Sequence, residues 1–142
     1  MVNSGRLSTP TAYDSALSTR DEEAWDGGVP PGGAFADAPL ARAGAEPSWL
    51  SDALSPSFTL IALDDGALSA APEGIALLPI SLEGSLASRT GLGDVEGHVA
   101  RRYALRPGGG VLVRPDGHVA ARFAHITPER VERAHRRARG LT

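Results

Sequence analysis

The sequence contains no cysteine, and that absence excludes three kinds of chemistry. Without a thiol the chain forms no disulfide, holds no cysteine-ligated zinc and has no dithiol redox centre. Lysine is absent as well, so all 14 basic residues are arginines. Aromatic residues account for only 5% of the chain, and we therefore expect a core built mainly of Leu, Val, Ile and Ala.

Long hydrophobic runs are also missing. No apolar stretch approaches the roughly 20 residues that a membrane-spanning helix needs. The first residues, Met1–Arg6, lack the basic and apolar regions of a secretory signal peptide. We therefore expect a cytoplasmic protein without membrane association, and its 142 residues suit one domain with its own core.

The remaining candidate metal ligands are four histidines: His98, His118, His125 and His135. None of them stands at the spacing of a known metal-binding motif. A single histidine on a strand or an exposed helix face is usually an ordinary surface residue, and we expect no metal site.

The C-terminal third of the chain predicts a β-hairpin. Val111–Arg114 and His118–Phe123 alternate in the period of two that is typical of strands. Between them, Pro115 fixes φ at the second position of a turn, Asp116 tolerates the third, and Gly117 supplies the left-handed φ that closes a type I turn with a bulge.

The residues after the hairpin predict a closing helix. Thr127 offers a capping hydroxyl, Pro128 suits the first helical position, and Gly140 suits the residue past the end. Its apolar stripe is Val131, Ala134, Ala138 and Leu141. Its five arginines, which invite nucleic-acid binding as an alternative function, are Arg130, Arg133, Arg136, Arg137 and Arg139. Because two of them follow glutamates at i,i+4 spacing and the net charge is −3, we expect ion pairs within the helix and no nucleic-acid partner.

The first 47 residues predict an extended arm or linker, and residues 48–142 a folded domain. Asp26–Pro47 contains five Gly and four Pro, which neither a helix nor a central strand accommodates. Four apolar residues are spaced along the arm: Trp25, Val29, Phe35 and Leu40. We expect them to dock either on the chain's own domain or on a second copy, which would make a homodimer.

The stretch between the arm and the hairpin predicts further strands and short helices. We expect a helical turn over Ser48–Leu54, capped by Ser48, and a central strand over Phe58–Leu63 that is apolar on both faces. A second strand, Ile75–Ser81, carries Pro79 and so belongs at a sheet edge.

The order of these elements predicts the fold. After a loop at Glu83–Gly93, Asp94 is expected to cap a helix whose apolar face is formed by Val95, Val99 and Tyr103. The resulting order β-α-β-α-β-β-α is that of a thioredoxin-like α/β core with a central mixed sheet of about four strands. Since only 11 residues, 64–74, join the first two strands, we expect parallel pairing through a minimal helix.

Several stretches resemble, in the same order, parts of FAD-dependent aromatic-ring hydroxylases, the class A flavin monooxygenases of the 3-(3-hydroxyphenyl)propionate and phenol hydroxylase type. They are Ser4–Ser8, Pro30–Ala34 with Asp37–Leu40, Arg101–Tyr103 and Val111–Phe123. The resemblance covers nearly the whole chain and implies a C-terminal thioredoxin-like domain. It also implies FAD and NAD(P)H as cofactors of the parent enzyme, and the flavin and substrate domain of that enzyme as the partner.

The chain departs from that family in ways that limit its own chemistry. The flavin fingerprint Gly-x-Gly-x-x-Gly has no counterpart, and Gly108–Gly110 precedes a strand, which suits a hinge or a tight approach rather than a phosphate cradle. Asp64–Ala67 occupies the loop where a redox thioredoxin has its cysteines, so thiol–disulfide exchange is excluded. We predict a redox-inactive structural and association domain without activity of its own. The alternative is an independent thioredoxin-like module that binds a protein or a small ligand.

No catalytic, cofactor-binding or metal-binding residue is predicted. A possible polar site lies on the hairpin: Arg114, Asp116, His118 and Arg122. Turn chemistry and a solvated strand face explain these residues more simply, with His118, Ala120 and Arg122 on one face. Asp64 and Asp65 follow a strand, where carboxylates are sometimes functional, and a hydrated turn is the simpler interpretation.

Overall fold

The computed structural model describes residues 18–21, 25, 27–42, 48–63, 71–81 and 92–140. These residues form seven strands and two α-helices. The strands are β1 (Pro39–Arg42), β2 (Ser48–Trp49), β3 (Phe58–Leu63), β4 (Ile75–Ile80), β5 (Leu92–Asp94), β6 (Gly110–Val113) and β7 (Val119–Phe123). The helices are α1 (His98–Arg102) and α2 (Pro128–Ala138).

The main sheet has the order β4-β3-β6-β7. β3 pairs parallel to β4 and antiparallel to β6, and β6 pairs antiparallel to β7. The predicted mixed sheet of four strands is therefore confirmed, and its arrangement is consistent with the predicted thioredoxin-like fold. Residues 64–70 lie outside the described residues, so the minimal helix and the turn at Asp64 and Asp65 stay predictions.

β3 is a central strand because its residues are apolar on both faces. From Thr59 to Leu63 every residue is buried, as the sequence predicts for a strand between two layers. Pro79 lies in β4, at the edge of the sheet, where its missing amide hydrogen breaks no ladder between two neighbours. Both positions agree with the sequence analysis.

Besides the bulged turn predicted at Gly117, the hairpin β6–β7 contains a second β-bulge, at Ala120, that the sequence did not reveal. Gly117 takes the expected left-handed φ of 86°, and the Arg114 N–H donates to the His118 carbonyl at 2.8 Å. Val113 pairs with Val119 but Leu112 pairs with Ala121, which leaves Ala120 as an extra residue. The bulge breaks the strict alternation of β7, and its consequence for Arg122 is described below.

Helix α2 covers one face of the main sheet. The Thr127 hydroxyl accepts a hydrogen bond from the Arg130 N–H, Pro128 opens the helix, and Gly140 follows it with a φ of 76°. The predicted caps are therefore confirmed. The core between helix and sheet consists of Leu60, Ile75, Leu112, Ala120, Ala121, Phe123, Val131, Ala134 and Ala138. Leu141, the last predicted stripe residue, lies outside the described residues.

A second sheet of order β2-β1-β5 covers the opposite face, and the sequence did not predict it. Its central strand is β1, so the expectation that no central strand occurs in Asp26–Pro47 is wrong. Pro39 begins that strand, and Leu40 is completely buried. The core on this face includes Leu40, Leu50, Ile61, Leu63, Ile80, Val99, Tyr103, Val111, Val113 and Val119. Leu92 and Gly93, predicted as loop, belong to β5.

The helix expected from Asp94 is shorter than predicted. Glu96 and Gly97 have left-handed φ angles of 51° and 73°, so the α-helix begins only at His98. The Asp94 carboxylate still caps it, because its two oxygens accept the N–H groups of Val99 and Ala100 at 2.7 and 3.0 Å. Capping by Asp94 was predicted correctly, and the start of the helix was not.

Neither helix of the described chain has the length or the apolar character needed to cross a bilayer. The longer one, α2, has 11 residues, of which six are charged Glu or Arg.

Candidate functional site: the surface that holds the N-terminal arm

The outer part of the arm runs along β7. We call residues 18–36 the arm segment. β7 is the edge strand of the main sheet, and the arm segment and β7 with its turn share backbone hydrogen bonds of 2.7–2.8 Å. The bonded pairs are Thr19 with Ala120, Gly32 and Gly33 with Val119, and Phe35 with Gly117. Because unpaired N–H and C=O groups at a sheet edge bind other chains, the arm segment protects this edge.

Arg122 fixes the arm segment at several points with one side chain. Its Nε and Nη2 donate to the Asp21 carboxylate at 2.9 and 2.8 Å, and its Nη1 donates to the Gly27 carbonyl at 2.8 Å. The guanidinium carbon lies 4.7 Å from the centre of the Trp25 ring, within cation–π range. Two-pronged bonding to a carboxylate is the strong, orientation-specific mode of arginine.

The position of Arg122 differs from the sequence expectation. Only 7% of its side chain is exposed, so the predicted solvated strand face is wrong for this residue. The bulge explains the error: Ala120 and Ala121 both pack in the cluster with α2, and Arg122 contacts the arm segment on the other face. A regular strand would have put Ala120 and Arg122 on one face.

Apolar side chains of the arm segment pack on the same face. Trp25, Val29 and Phe35 are partly buried against the core cluster, and the Phe35 ring lies 6.3 Å from that of Tyr103. Leu40, further along the arm, is part of that core. Of the two docking modes that the sequence allowed, the structure contains the one on the chain's own domain.

Tyr103 holds the end of the arm segment through its hydroxyl group. The hydroxyl donates to the Ala36 carbonyl at 2.5 Å and accepts from the Ala36 N–H at 2.9 Å. Burial raises the pKa of Tyr103 far above its usual value, and the hydrogen bond to the Ala36 backbone opposes this only in part. The phenol therefore remains neutral and can donate and accept at once.

Asp37 joins the arm segment to the rest of the chain. Its carboxylate accepts hydrogen bonds from the N–H and the hydroxyl of Ser51, and its carbonyl accepts one from Arg102 at 2.7 Å. Burial acts to raise the pKa of Asp37, but the bonds from Ser51 and Ala38 and the charge of Arg102 outweigh it and lower the pKa. The predicted Ser48 cap is wrong, because Ser48 lies in β2 and Asp37 binds the 3-10 helix Leu50–Ala53 instead.

Glycine is required where the arm segment crosses Tyr103. Gly28 has a φ of 75°, and a Cβ at this position would lie 2.7 Å from the Tyr103 carbonyl carbon and oxygen. No side chain fits at that distance, so the Pro/Gly-rich composition of the arm allows its close approach to the domain.

Of the other candidate polar residues, those at the hairpin turn pair with one another. Arg114 and His118 lie 2.5 and 3.5 Å from the oxygens of the exposed Asp116, which is the predicted turn chemistry. In the described ranges no three His, Asp or Glu side chains are grouped so as to hold a metal ion. A groove of about 310 Å³ beside the start of α2 is lined by Ala71, Pro72, Pro128, Glu129 and Glu132.

Sequence reasoning found the stretches that build this site but not their contacts. Pro30–Ala34, Asp37–Leu40, Arg101–Tyr103 and the hairpin were singled out separately, and in the structure they touch one another. Arg122 was noted only as a residue of the hairpin, and nothing in the sequence pointed to its pairing with Asp21, 101 residues away, because single acids and single arginines are common everywhere.

Comparison with solved structures finds proteins that share this fold. One is the flavin-dependent monooxygenase PieE, in complex with FAD and substrate, which is 21% identical to this chain and superimposes with a TM-score of 0.68. The match covers 92% of this chain and 25% of the PieE chain. Another is aklavinone-11 hydroxylase, in a ternary complex with FAD and aklavinone, which is 25% identical and also has a TM-score of 0.68. The match covers 89% of this chain and 26% of the hydroxylase chain. RebC with bound 7-carboxy-K252c is 19% identical with a TM-score of 0.52.

These structures confirm the resemblance to flavin-dependent monooxygenases at the level of fold. Neither a family model nor a curated protein matches the sequence. The chain spans about a quarter of the length of the enzymes it matches, so it corresponds to one part of such proteins, consistent with the predicted C-terminal domain. Two of the matched enzymes contain FAD.

Proposed function

We propose that this chain is a redox-inactive, thioredoxin-like structural and association domain of an FAD-dependent aromatic hydroxylase, without the catalytic FAD domain. The observation that carries the proposal is the shared fold: about nine-tenths of this chain superimposes on a quarter of FAD-bound monooxygenases. FAD and NAD(P)H are then bound by residues outside this chain. The partners are the flavin and substrate domain and, through the N-terminal arm, a second copy of the chain; the location is the cytoplasm.

The arm contacts support a structural role. Asp21, Trp25 and Ala36 are held by Arg122 and Tyr103, so the direction in which the chain enters the domain is defined. A domain that is joined to its partner through such a fixed segment keeps a set orientation toward it. Tyr103 is buried and Arg122 is paired with the arm segment, so both side chains serve to hold the arm on this surface.

Exchange of domains tests the proposal. The matching quarter of aklavinone-11 hydroxylase is deleted in one variant and replaced by this chain in another. We expect the deleted enzyme to lose FAD retention or to aggregate, and the exchanged enzyme to recover FAD binding and hydroxylation of aklavinone at least in part. Equal failure of the two variants would contradict the structural role and favour an independent binding module.

A further inference from the structure

The contacts that hold the arm segment join residues far apart in the sequence. Asp21 and Arg122 are separated by 101 positions, and Ala36 and Tyr103 by 67. Each contact depends only on an arm segment lying across the surface formed by β7 and Tyr103. A second copy of the same chain offers an identical face, and identical contacts are then remade between molecules.

The arm segment follows the edge of the main sheet and is joined to the rest of the chain at one end, Asp37. It contacts the domain along β7. In its first half, several of the contacts are made by the Arg122 side chain. The body of the chain begins at Asp37, which is bound by Ser51 and Arg102 on the domain side. Asp37 is therefore the fixed point about which the segment would turn.

We propose that the arm segment exchanges between two copies of this chain, turning at Asp37, and that Arg122 is the latch that sets the rate of exchange. The proposal deepens the association role proposed above and rests on it. It assigns a second copy as the occupant of the β7 face whenever the chain's own arm segment is displaced.

Arg122 controls the rate at which the arm segments exchange and does not control the final amount of dimer. The Asp21–Arg122 ion pair and the Trp25 contact are present in the closed monomer and again in the exchanged dimer, so they cancel in the equilibrium between the two. Both contacts must break in the opened state, so they raise the barrier. Weakening Arg122 should therefore speed the exchange and leave the final amount of dimer unchanged.

The absence of native cysteine makes a direct test possible. Ala34 and His118 face each other as partners in an antiparallel bridge. The Cα atoms of such partners lie about 4.5–5.5 Å apart, within the range that a disulfide spans. Full-length Ala34→Cys protein is mixed with full-length His118→Cys protein of a different tagged mass, incubated under reducing conditions and briefly oxidised. We expect a covalent heterodimer whose amount increases with incubation time and protein concentration.

A matched pair controls for random oxidation. Arg136 is exposed on α2, and Arg136→Cys mixed with Ala34→Cys should give only a low, time-independent heterodimer signal. If the Ala34 and His118 variants give no more heterodimer than this control at the highest concentration, the exchange is refuted.

The latch is tested in the same assay by adding Arg122→Gln to both partners, with Asp21→Asn as a second variant in case the first does not fold. We expect heterodimer to form at least about tenfold faster, the factor set by losing charge-assisted bonds, and to reach the same plateau. Arg136→Gln should change neither the rate of heterodimer formation nor its plateau. An unchanged rate in Asp21→Asn and Arg122→Gln would refute the latch, and a higher plateau would indicate unspecific association instead.

These outcomes separate the inference from the proposed function. Failure of the cysteine assay with a successful domain exchange would leave a structural domain that acts as a single copy. Success of the cysteine assay with a failed domain exchange would leave a self-associating module unrelated to a flavin enzyme.

Discussion

Arg122 shows how one residue acquires a role from a local irregularity. The extra residue Ala120 turns the Arg122 side chain away from α2 and toward the arm segment, where carboxylate, carbonyl and aromatic partners surround it. A buried guanidinium is costly unless every donor finds a partner, and here the arm segment supplies them. The arm and the bulge therefore depend on each other.

Replacing Arg122 with Ala should destabilise the protein by about 2–3 kcal/mol, because Asp21 and the Gly27 carbonyl lose their charged donor and Trp25 its cation. The free energy of unfolding is measured by urea denaturation. The control, Arg136→Ala on the exposed face of α2, should change stability by no more than about 0.5 kcal/mol. Equal effects of the two substitutions would mean that the arm segment contributes nothing to the folded state.

At the scale of secondary-structure elements, the sequence predicted those that depend on nearby residues and missed those that depend on pairing between distant ones. The hairpin and α2 were predicted because Pro115, Gly117, Thr127 and Pro128 act within a few residues of where they stand. The second sheet was missed because its strands have only two to four residues, too few for a period to be visible. The pairing of its central strand β1 with β5 also joins residues far apart in the sequence, as Leu40 with Asp94.

The difference between local features and long-range contacts also explains which parts of the candidate site were predicted. Trp25, Val29 and Phe35 were predicted to dock because apolar residues in a Pro/Gly-rich stretch have no secondary structure of their own to bury them. Their acceptor surface was not predictable, since Arg122 reaches it through a bulge and Tyr103 through a helix that begins later than expected. Both features arise from tertiary packing.

Helix α2 contains a buried histidine that makes its packing sensitive to pH. His135 is 5% exposed and lies edge-on against the Phe58 ring, with ring centres 4.6 Å apart. Burial lowers the pKa of His135 below its usual value of 6.5, the Arg139 charge lowers it further, and Glu132 opposes the shift. The unfolded chain therefore binds the proton more readily than the folded one.

Stability should accordingly decrease as the pH falls below about 6.5, the pKa of an unfolded histidine, and this contribution should level off below the folded pKa. Urea denaturation between pH 7.5 and about 5.5 measures it, above the range where carboxylates dominate. His135→Gln should flatten the slope, and the exposed His125→Gln should not. If the slope persists in His135→Gln, another group is responsible.

At the scale of the whole molecule, the chain shares the fold of one part of FAD-containing monooxygenases, and its sequence predicts no flavin site of its own. Gly108–Gly110, the only run of three glycines in the sequence, does not open a helix. Gly110 begins β6, and a Cβ there would lie 2.3 Å from the Ile61 carbonyl oxygen. The predicted tight approach is thus an approach of strand to strand at Gly110.

The purified full-length chain should therefore be colourless, leave the fluorescence of added FAD unchanged and fail to reduce insulin disulfides, because it has neither a dinucleotide fingerprint nor a thiol. A matched variant makes the insulin result interpretable: Asp64→Cys combined with Ala67→Cys places two thiols at the spacing of a redox thioredoxin, in the stretch assigned to that loop. We expect this variant to gain measurable disulfide reductase activity. Insulin reduction or a yellow colour in the unaltered protein would contradict the redox-inactive assignment. An inactive double variant that is folded would instead show that residues 64–67 are not the counterpart of the thioredoxin loop.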